Sequence, residues 1–419
     1  MNILIFEDNY FSNLSPLSLL RPVYDIVSGV YTNRERLEKY IPSKFKITLH
    51  CKNILLPLVK SENPHKKINL IEKEDYLLVN GNLIYDEDFL VYAIKKMKWD
   101  SVLVNDGKVI CAKVSKGKLT YLKHKIENRN IDNTLSIKDF DNFTVINDSE
   151  LIEKYNIKII HYAWDVIRHF ENTIKKDLES MCAGRKKASP NAGVSVVNLK
   201  GIRISKSAIV YPNVVLDADS GIICIEENAV IEPFTFIKGP AYIGKNVTVK
   251  SGAKIYGPCS IGAGSKVTGE ISGSIFHSNV NKQHDGFIGN SYACPFVNFG
   301  ADTVTSNLKN NYSKVRVKFG GEQVNTGMQF LGTLAGDHTK FGINTMLNTG
   351  TIAGIFANVA GGGFPDKKID SFSWNILGSE PVKYKLEEAL STAKTVMGRR
   401  HIEMSKEYED LIREIYKST

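Results

Sequence analysis

A period of six residues governs the second half of the chain. Ile225, Ile231, Ile237, Ile243, Val249, Ile255, Ile261 and Val267 follow one another at that spacing, and every one is β-branched. Four residues after each of the first seven stands a small side chain: Ala229, Thr235, Ala241, Val247, Ala253, Cys259 and Ser265. Six matches neither the 3.6-residue turn of an α-helix nor the simple alternation of one long strand. It fits a solenoid of short strands joined by tight turns. The β-branched residue points inward and stacks on its counterpart in the next coil, about 4.8 Å away, and the small residue fills the corner. An earlier run, Ile204, Val210, Leu216 and Ile222, keeps the period with an offset of three. The reading is a left-handed parallel β-helix of hexapeptide repeats from about Ile204 to Phe364. Spacing alone does not separate a catalytic solenoid from a rigid spacer.

The rest of the chain has a different grammar. Glycines are sparse before Gly184 and dense from Gly193 to Gly363, which marks two architectures in one polypeptide. Asn2–Phe6, Lys46–Cys51, Tyr76–Asn80, Ser101–Val104 and Val109–Val114 read as strands. Asn33–Tyr40 and Glu87–Met97 read as helices, and Asn105-Asp106-Gly107 as a turn. That alternation predicts an α/β, Rossmann-like sheet domain over residues 1–158. A helical linker and hinge (159–192) follows, with a helix over Ile159–Met181 and a basic loop over Ala183–Ala192. The β-helix occupies 193–380, and an amphipathic helical tail 381–419.

A formal net charge of +9 over 419 residues favours anionic ligands such as phosphates, nucleotides or CoA. There is no aromatic-flanked basic cluster or recognition helix, so a nucleic-acid partner is not expected. Six scattered cysteines without a CxxC pair suit neither a zinc site nor a disulfide framework. No apolar run approaches the roughly 20 residues of a membrane span, and the start lacks the basic region of a signal peptide. A cytoplasmic protein is expected.

The regular ladder stops near Val267, and the interruption carries three motifs: KQHDGFIG, VNFGADTVTSNLKN and GDHTKFGINTMLNTGTIAG. With them, Ile204–Phe364 resembles the acetyltransferase half of the bifunctional glucosamine-1-phosphate N-acetyltransferase / N-acetylglucosamine-1-phosphate uridyltransferase family. The closest likeness is to a divergent branch of sugar nucleotidyltransferases. The resemblance implies acetyl-CoA as co-substrate, a sugar phosphate as acceptor, and a homotrimer with sites at subunit boundaries. It makes His284 the general base that relieves the attacking sugar amine of its proton, a task an imidazole suits. Lys254 falls near a family arginine that holds the sugar phosphate. Phe287 stands where the main branch has tyrosine. Asn298 and Asn307 match asparagines of the sugar and amine site, although Leu308 replaces a tyrosine after Asn307. Gly350, Ala353 and Gly354 leave room for a pantetheine arm, or else are simply another coil. His338, beside Asp337, is a rival base for which a structural or CoA-adjacent role is favoured; His277 is read as structural.

The same resemblance places a nucleotidyltransferase in the N-terminal half, using UTP or another NTP with Mg²⁺. Its glycine-rich phosphate loop is absent; Glu7-Asp8-Asn9 and LSPLSLLRPVYDIVSG follow the first strand instead. Arg21 is the candidate cation for the phosphates, with Arg34 second. The expected metal-site Gly-Asp appears as Gly81-Asn82, preceded by Asn80. Asn82 and Asp8 are therefore the candidate metal ligands and Asn80 a substrate contact, with Asp86 and Asp88 in reserve. Trp164-Asp165 also resembles the branch, and Asp165 is a weaker metal candidate. Three readings stay open for this half: an active uridylyltransferase, a nucleotidyltransferase for another sugar phosphate, or a degenerate binding module.

Overall fold

The computed structural model describes residues 1–127, 134–185 and 190–419. Part of the expected basic loop, 186–189, lies outside the described residues. The chain divides into two compact units. One comprises Met1–Ile26, Tyr31–Asp165 and Ser405–Ile415; the other comprises Val27–Val30, Val166–Met404 and Tyr416–Thr419.

The first unit is built on a seven-stranded sheet. Its order is Lys67–Ile68, Ile47–His50, Asn2–Phe6, Tyr76–Asn80, Lys108–Val114, Ser101–Asn105 and Thr144–Asn147. The first four strands are parallel, whereas Lys108–Val114 runs antiparallel to both neighbours. Asn2–Phe6 and Tyr76–Asn80 are buried at every position, as continuous apolar strands covered on both faces must be. The helix Asn33–Tyr40 starts at a capping box, Thr32 and Glu35 each satisfying a backbone N–H of the other's residue. Asp106 and Gly107 both take positive φ, as a two-residue hairpin turn requires. From the central strand Asn2–Phe6 the chain moves outward on one side, then returns to pair on the other. The switch point therefore lies at the carboxyl ends of Asn2–Phe6 and Tyr76–Asn80, where open α/β sheets bind ligands.

The helix expected from Ile159 begins only at Asp165 and runs to Cys182. Lys158–Ile159 instead pairs antiparallel with Leu83–Ile84, so tertiary pairing wins over the local apolar pattern.

The second unit contains the left-handed β-helix. All eight β-branched residues of the ladder are at most 1% exposed, which confirms their inward direction. Burying each contributes about 1.5–3 kcal/mol. Ile225 pairs with Ile243 and Ile243 with Ile261, so each regular coil consumes three hexapeptides, one per face. A first face runs in order from Ser195–Val197 to Phe287–Gly289, a second from Ile202–Ile204 to Lys368–Ile369, and a third from Ile209–Val210 to Val382–Lys383. The offset in the early run has a simple cause. Ile204, Val210 and Leu216 pair with Ile225, Ile231 and Ile237, so the extra residues sit between coils. Ile222, expected in the run, is only half-buried; Ile225 takes the inner rung.

Two features were not foreseen. The register jumps from Ala293 to Ala335, and the excursion holds an antiparallel hairpin, Arg316–Phe319 with Glu322–Asn325. At the other end, Val382–Lys383 pairs antiparallel with Ser373–Trp374 as the last strand of the third face. The tail is two helices, Leu386–Gly398 and Lys406–Ser418. Among the described residues, no helix is long and apolar enough to cross a membrane.

Candidate functional site

On the first face of the β-helix, successive coils stack Phe236, Lys254, Glu270 and Phe287 in one outward column. Lys254 is exposed, while Glu270 and Phe287 are half-buried. His284 is exposed at the corner just before Phe287. Two residues on, Gly289 lies directly against Phe287 and Asn307. A Cβ there would come within 2.5 Å of Phe287 Cζ and 2.6 Å of Asn307 Nδ2. The Asn307 amide is held by Asn290 Oδ1 at 2.8 Å. Lys254, His284, Phe287 and Asn307 are thus brought together on or beside one face.

The turn bearing His284 is held from inside by a residue that sequence reasoning passed over. Lys282 pairs with Val267, which pairs with Val249, so it occupies an inward rung where other coils carry valine. It is fully buried. Its ammonium donates to the carbonyls of His284 and, at 2.7 Å, of Asp285. Burial pushes it down to about 8, against the pull of Asp285 and Asp302. The available signal was a lysine in register with the aliphatic ladder.

Asn298 does not join this group. It stands on the third face, in the column Lys266, Asn281, Asn298 and Lys340. Gln283 Nε2 donates to Asn281 Oδ1 at 2.6 Å, and Asn281 Nδ2 to Asn298 Oδ1 at 2.7 Å. With Arg399, Arg400 and Phe296 these residues line a cavity of about 280 Å³.

Gly350, Ala353 and Gly354 are packing positions, which corrects the expectation of a pantetheine surface. Ala353 is fully buried in the inner column of the second face, between Ala335 and Ile369. A Cβ on Gly354 would meet Ser371 at 2.4 Å, and one on Gly350 would meet Val315 at 2.7 Å. His338 is also structural: its ring is stacked between Phe296 and Phe356 at 4.9 and 4.6 Å, and it is 1% exposed. His277 is half-buried beside Ser278 Oγ at 3.3 Å.

In the first unit, the switch point gathers Asp8, Asn80 and Lys108. Asp8 Oδ2 accepts from Asn80 Nδ2 at 2.9 Å and faces Lys108 Nζ at 3.3 Å, while Oδ1 accepts the Tyr10 N–H. Asp8 and Lys108 are each 1% exposed. Burial pulls Lys108 below the usual lysine range, opposed chiefly by Asp8. Lys108 also donates to the Ile160 carbonyl at 3.1 Å. Asp165 accepts the N–H groups of His161 and Tyr162 at 3.0 Å, which ties down the start of its helix. Lys108 went unnoticed in the sequence, although a lysine opening a mostly apolar strand was there to be seen.

Mg²⁺ does not fit these donors as they stand. The Asp8 carboxylate is already neutralised by Lys108 and bonded on both oxygens, whereas Mg²⁺ relies on one or two carboxylates beside the substrate's phosphates. Asn82 offers a neutral amide. It is fully buried, and among the described residues neither its nitrogen nor its oxygen has a hydrogen-bond partner. Such an orphaned amide at a switch point is a candidate contact for an organic ligand. Among the described residues no cluster of three or more His, Cys, Asp or Glu side chains forms a metal cage.

Arg34 is committed rather than available: it pairs with Asp25 at 2.7 Å and donates to Asn63 Oδ1 at 2.6 Å. Arg21 donates to the Leu17 carbonyl at 2.7 Å, and its charge partly offsets the burial that raises Asp25 and Glu62. The loop bearing it is tethered by buried Glu7, whose carboxylate accepts the N–H groups of Val23 and Lys52 at 2.9 and 2.8 Å.

The comparison with known families meets this geometry at the same strands: the model described as sugar nucleotidyl transferase matches residues 3–186. That stretch of the chain resembles the sugar nucleotidyl transferase family. The matched stretch thus spans the switch point and the helix that follows it. A bifunctional sugar-1-phosphate nucleotidylyltransferase/acetyltransferase of Sulfurisphaera tokodaii is 28% identical over 142 residues, 34% of this chain and 30% of that protein. The bifunctional protein GlmU of Methanococcus vannielii is 31% identical over 105 residues, 25% of each. The matched stretch therefore spans less than a third of these curated relatives. Among solved structures, UDP-N-acetylglucosamine acyltransferase from Campylobacter jejuni is 12% identical with a TM-score of 0.25, over 53% of this chain and 94% of that one. A likeness that slight carries no argument; the β-helix is read from its own strand register.

Proposed function

We propose that the protein is a two-site transferase of sugar-nucleotide synthesis. The β-helix moves an acetyl group from acetyl-CoA to glucosamine-1-phosphate. The nucleotidyltransferase domain then joins N-acetylglucosamine-1-phosphate to UMP from UTP, giving UDP-N-acetylglucosamine and pyrophosphate. The observation that carries the acyl-transfer half is the exposed His284 imidazole, its turn clamped by buried Lys282, beside the place where Phe287 and Asn307 meet over Gly289.

In this mechanism the neutral sugar amine attacks the thioester carbonyl, and His284 takes the proton the nitrogen loses. The carbon–sulfur bond then breaks, and the proton passes to the departing thiolate. Lys254, a point charge on the same face, meets the sugar phosphate. The exposed flank of the solenoid, together with the family resemblance, supports a homotrimer acting in the cytoplasm.

Release of CoA from acetyl-CoA and glucosamine-1-phosphate, followed with a thiol reagent, tests the first activity. Wild-type turnover that His284→Ala leaves unchanged rejects the base assignment. For the N-terminal half a second reading has an observation in its favour. Because Asp8 is paired with Lys108, the domain also suits a sugar-nucleotide binding module without transfer. Pyrophosphate release from UTP and N-acetylglucosamine-1-phosphate separates the two: its absence beside a working acetyltransferase selects the module.

A further inference from the structure

The cavity on the third face has a composition that the acyl-transfer mechanism does not use. Lys266, Lys340, Arg399 and Arg400 line it, and no carboxylate does. Among the described residues none of the four takes part in an ion pair. Uncompensated positive charge is costly where water is excluded. Burial pushes Lys340 down to about 8, with only the His338 carbonyl, at 3.0 Å, to receive its ammonium. Burial, and then the charge of Arg399, also pull Arg400 below the usual arginine range; its guanidinium donates to the Gly264 carbonyl at 3.0 Å.

Half of this has an ordinary explanation. Arg399 and Arg400 follow the end of the helix Leu386–Gly398, where cations meet unpaired carbonyls favourably. Lys266 and Lys340 have no such reason. They stand at the two ends of one outward column on the opposite wall, with Asn281 and Asn298 as the rungs between them. The amides are ordered in one sense. Since Asn298 Oδ1 accepts from Asn281, the Asn298 nitrogen is left to donate into the cavity. Both walls therefore present donors and cations.

We propose that this pocket binds a diphosphate anion between the third face of the β-helix and the turn after the helix Leu386–Gly398. Cations on facing walls of a cavity of about 280 Å³ suit a ligand charged at both ends better than a single phosphate. The same chemistry could come from free pyrophosphate or from the diphosphate of a nucleotide or coenzyme. The proposal does not depend on the acyl-transfer mechanism, whose residues lie on or beside the first face.

Calorimetric titration of the full chain with pyrophosphate, phosphate, UDP and CoA tests it. Wild type should bind pyrophosphate more tightly than phosphate. Lys340→Met and Arg400→Met should each weaken that binding about tenfold, as expected for loss of one charge-assisted contact. Arg399→Gln alters an exposed side chain, so a loss there is not unfolding, and thermal melts without ligand check the other variants. If UDP or CoA shows the same losses and free pyrophosphate does not bind, the proposal stands with the larger ligand as the source. Binding elsewhere on the chain would ignore these substitutions. Diphosphate binding of undiminished strength in the Lys340→Met/Arg400→Met protein overturns the proposal, as does a wild type that binds none of the diphosphates.

Discussion

The ammonium of Lys282 lies inside the β-helix and donates to the carbonyl of His284, whose own imidazole stands outside it. A buried lysine is an expensive way to brace a turn. Its side chain displaces a valine rung, and its charge is only partly repaid by two carbonyls. The arrangement makes sense if the position of the imidazole matters more than the stability of that coil.

Lys282→Met should therefore separate stability from activity. At pH 7 the variant is expected to be at least as stable as wild type, while CoA release falls tenfold or more, an order of magnitude typical of a loosened catalytic group. The pH dependence has a definite sign. Lys282 titrates at about 8 folded, against 10.5 for an unperturbed lysine. The unfolded chain binds the extra proton between those values, so wild-type stability gains from this group as pH rises from 8 to 10.5. Denaturant titrations across that window should show the gain in wild type and its absence in Lys282→Met.

His284→Gln should lower turnover by roughly 10²–10⁴, the usual range for a general base. Because the side chain is exposed, the melting temperature should not move. A parallel fall in stability would recast the residue as part of the turn.

Gly289→Ala places a methyl group against Phe287 and Asn307. Both neighbours are side-chain ends that can give way, so the fold should survive. The placement of those two side chains should not: KM for the sugar phosphate is expected to rise about tenfold. Unchanged steady-state kinetics would remove Phe287 and Asn307 from the site.

In the first unit, Lys108→Met leaves Asp8 buried without its cation and should cost about 3–5 kcal/mol. Adding Asp8→Asn should recover much of it, measured by chemical denaturation as a double-mutant cycle. If the two losses simply add, the pair is not coupled.

Asp25 supplies a second pH test. Burial pushes it up to about 7, from 3.8, despite Arg34 beside it. The folded chain holds the proton more tightly, so stability falls as pH rises from about 4 to 7, and the cost is complete above 7. Asp25→Asn should flatten that slope and should not destabilise the protein at pH 8. A wild type that gains stability over the same interval contradicts the assignment.

The fold was legible wherever one period dominated. The isoleucine and valine ladder announced its coils, and the Asn105-Asp106-Gly107 turn marked a boundary by local chemistry. What resisted reading was long-range. Nothing near Ala353 in the chain says that Ala335 and Ile369 enclose it. Nothing near Asp8 announces Lys108, which reaches it only because two distant strands flank the same crevice. His338 sits beside Asp337 as a base would, yet the rings of Phe296 and Phe356 claim it from neighbouring coils. Asn298 was matched to the sugar and amine site, but coil register sets it on the third face, apart from Phe287 and Asn307.

A parallel solenoid has no natural end, since each completed coil offers the next one a template. Here the third face terminates in Val382–Lys383, two residues running against the direction of every strand before them. That reversal spoils the edge for another copy's first coil, much as a cap closes a tube. On that face the solenoid offers no parallel template for a further coil.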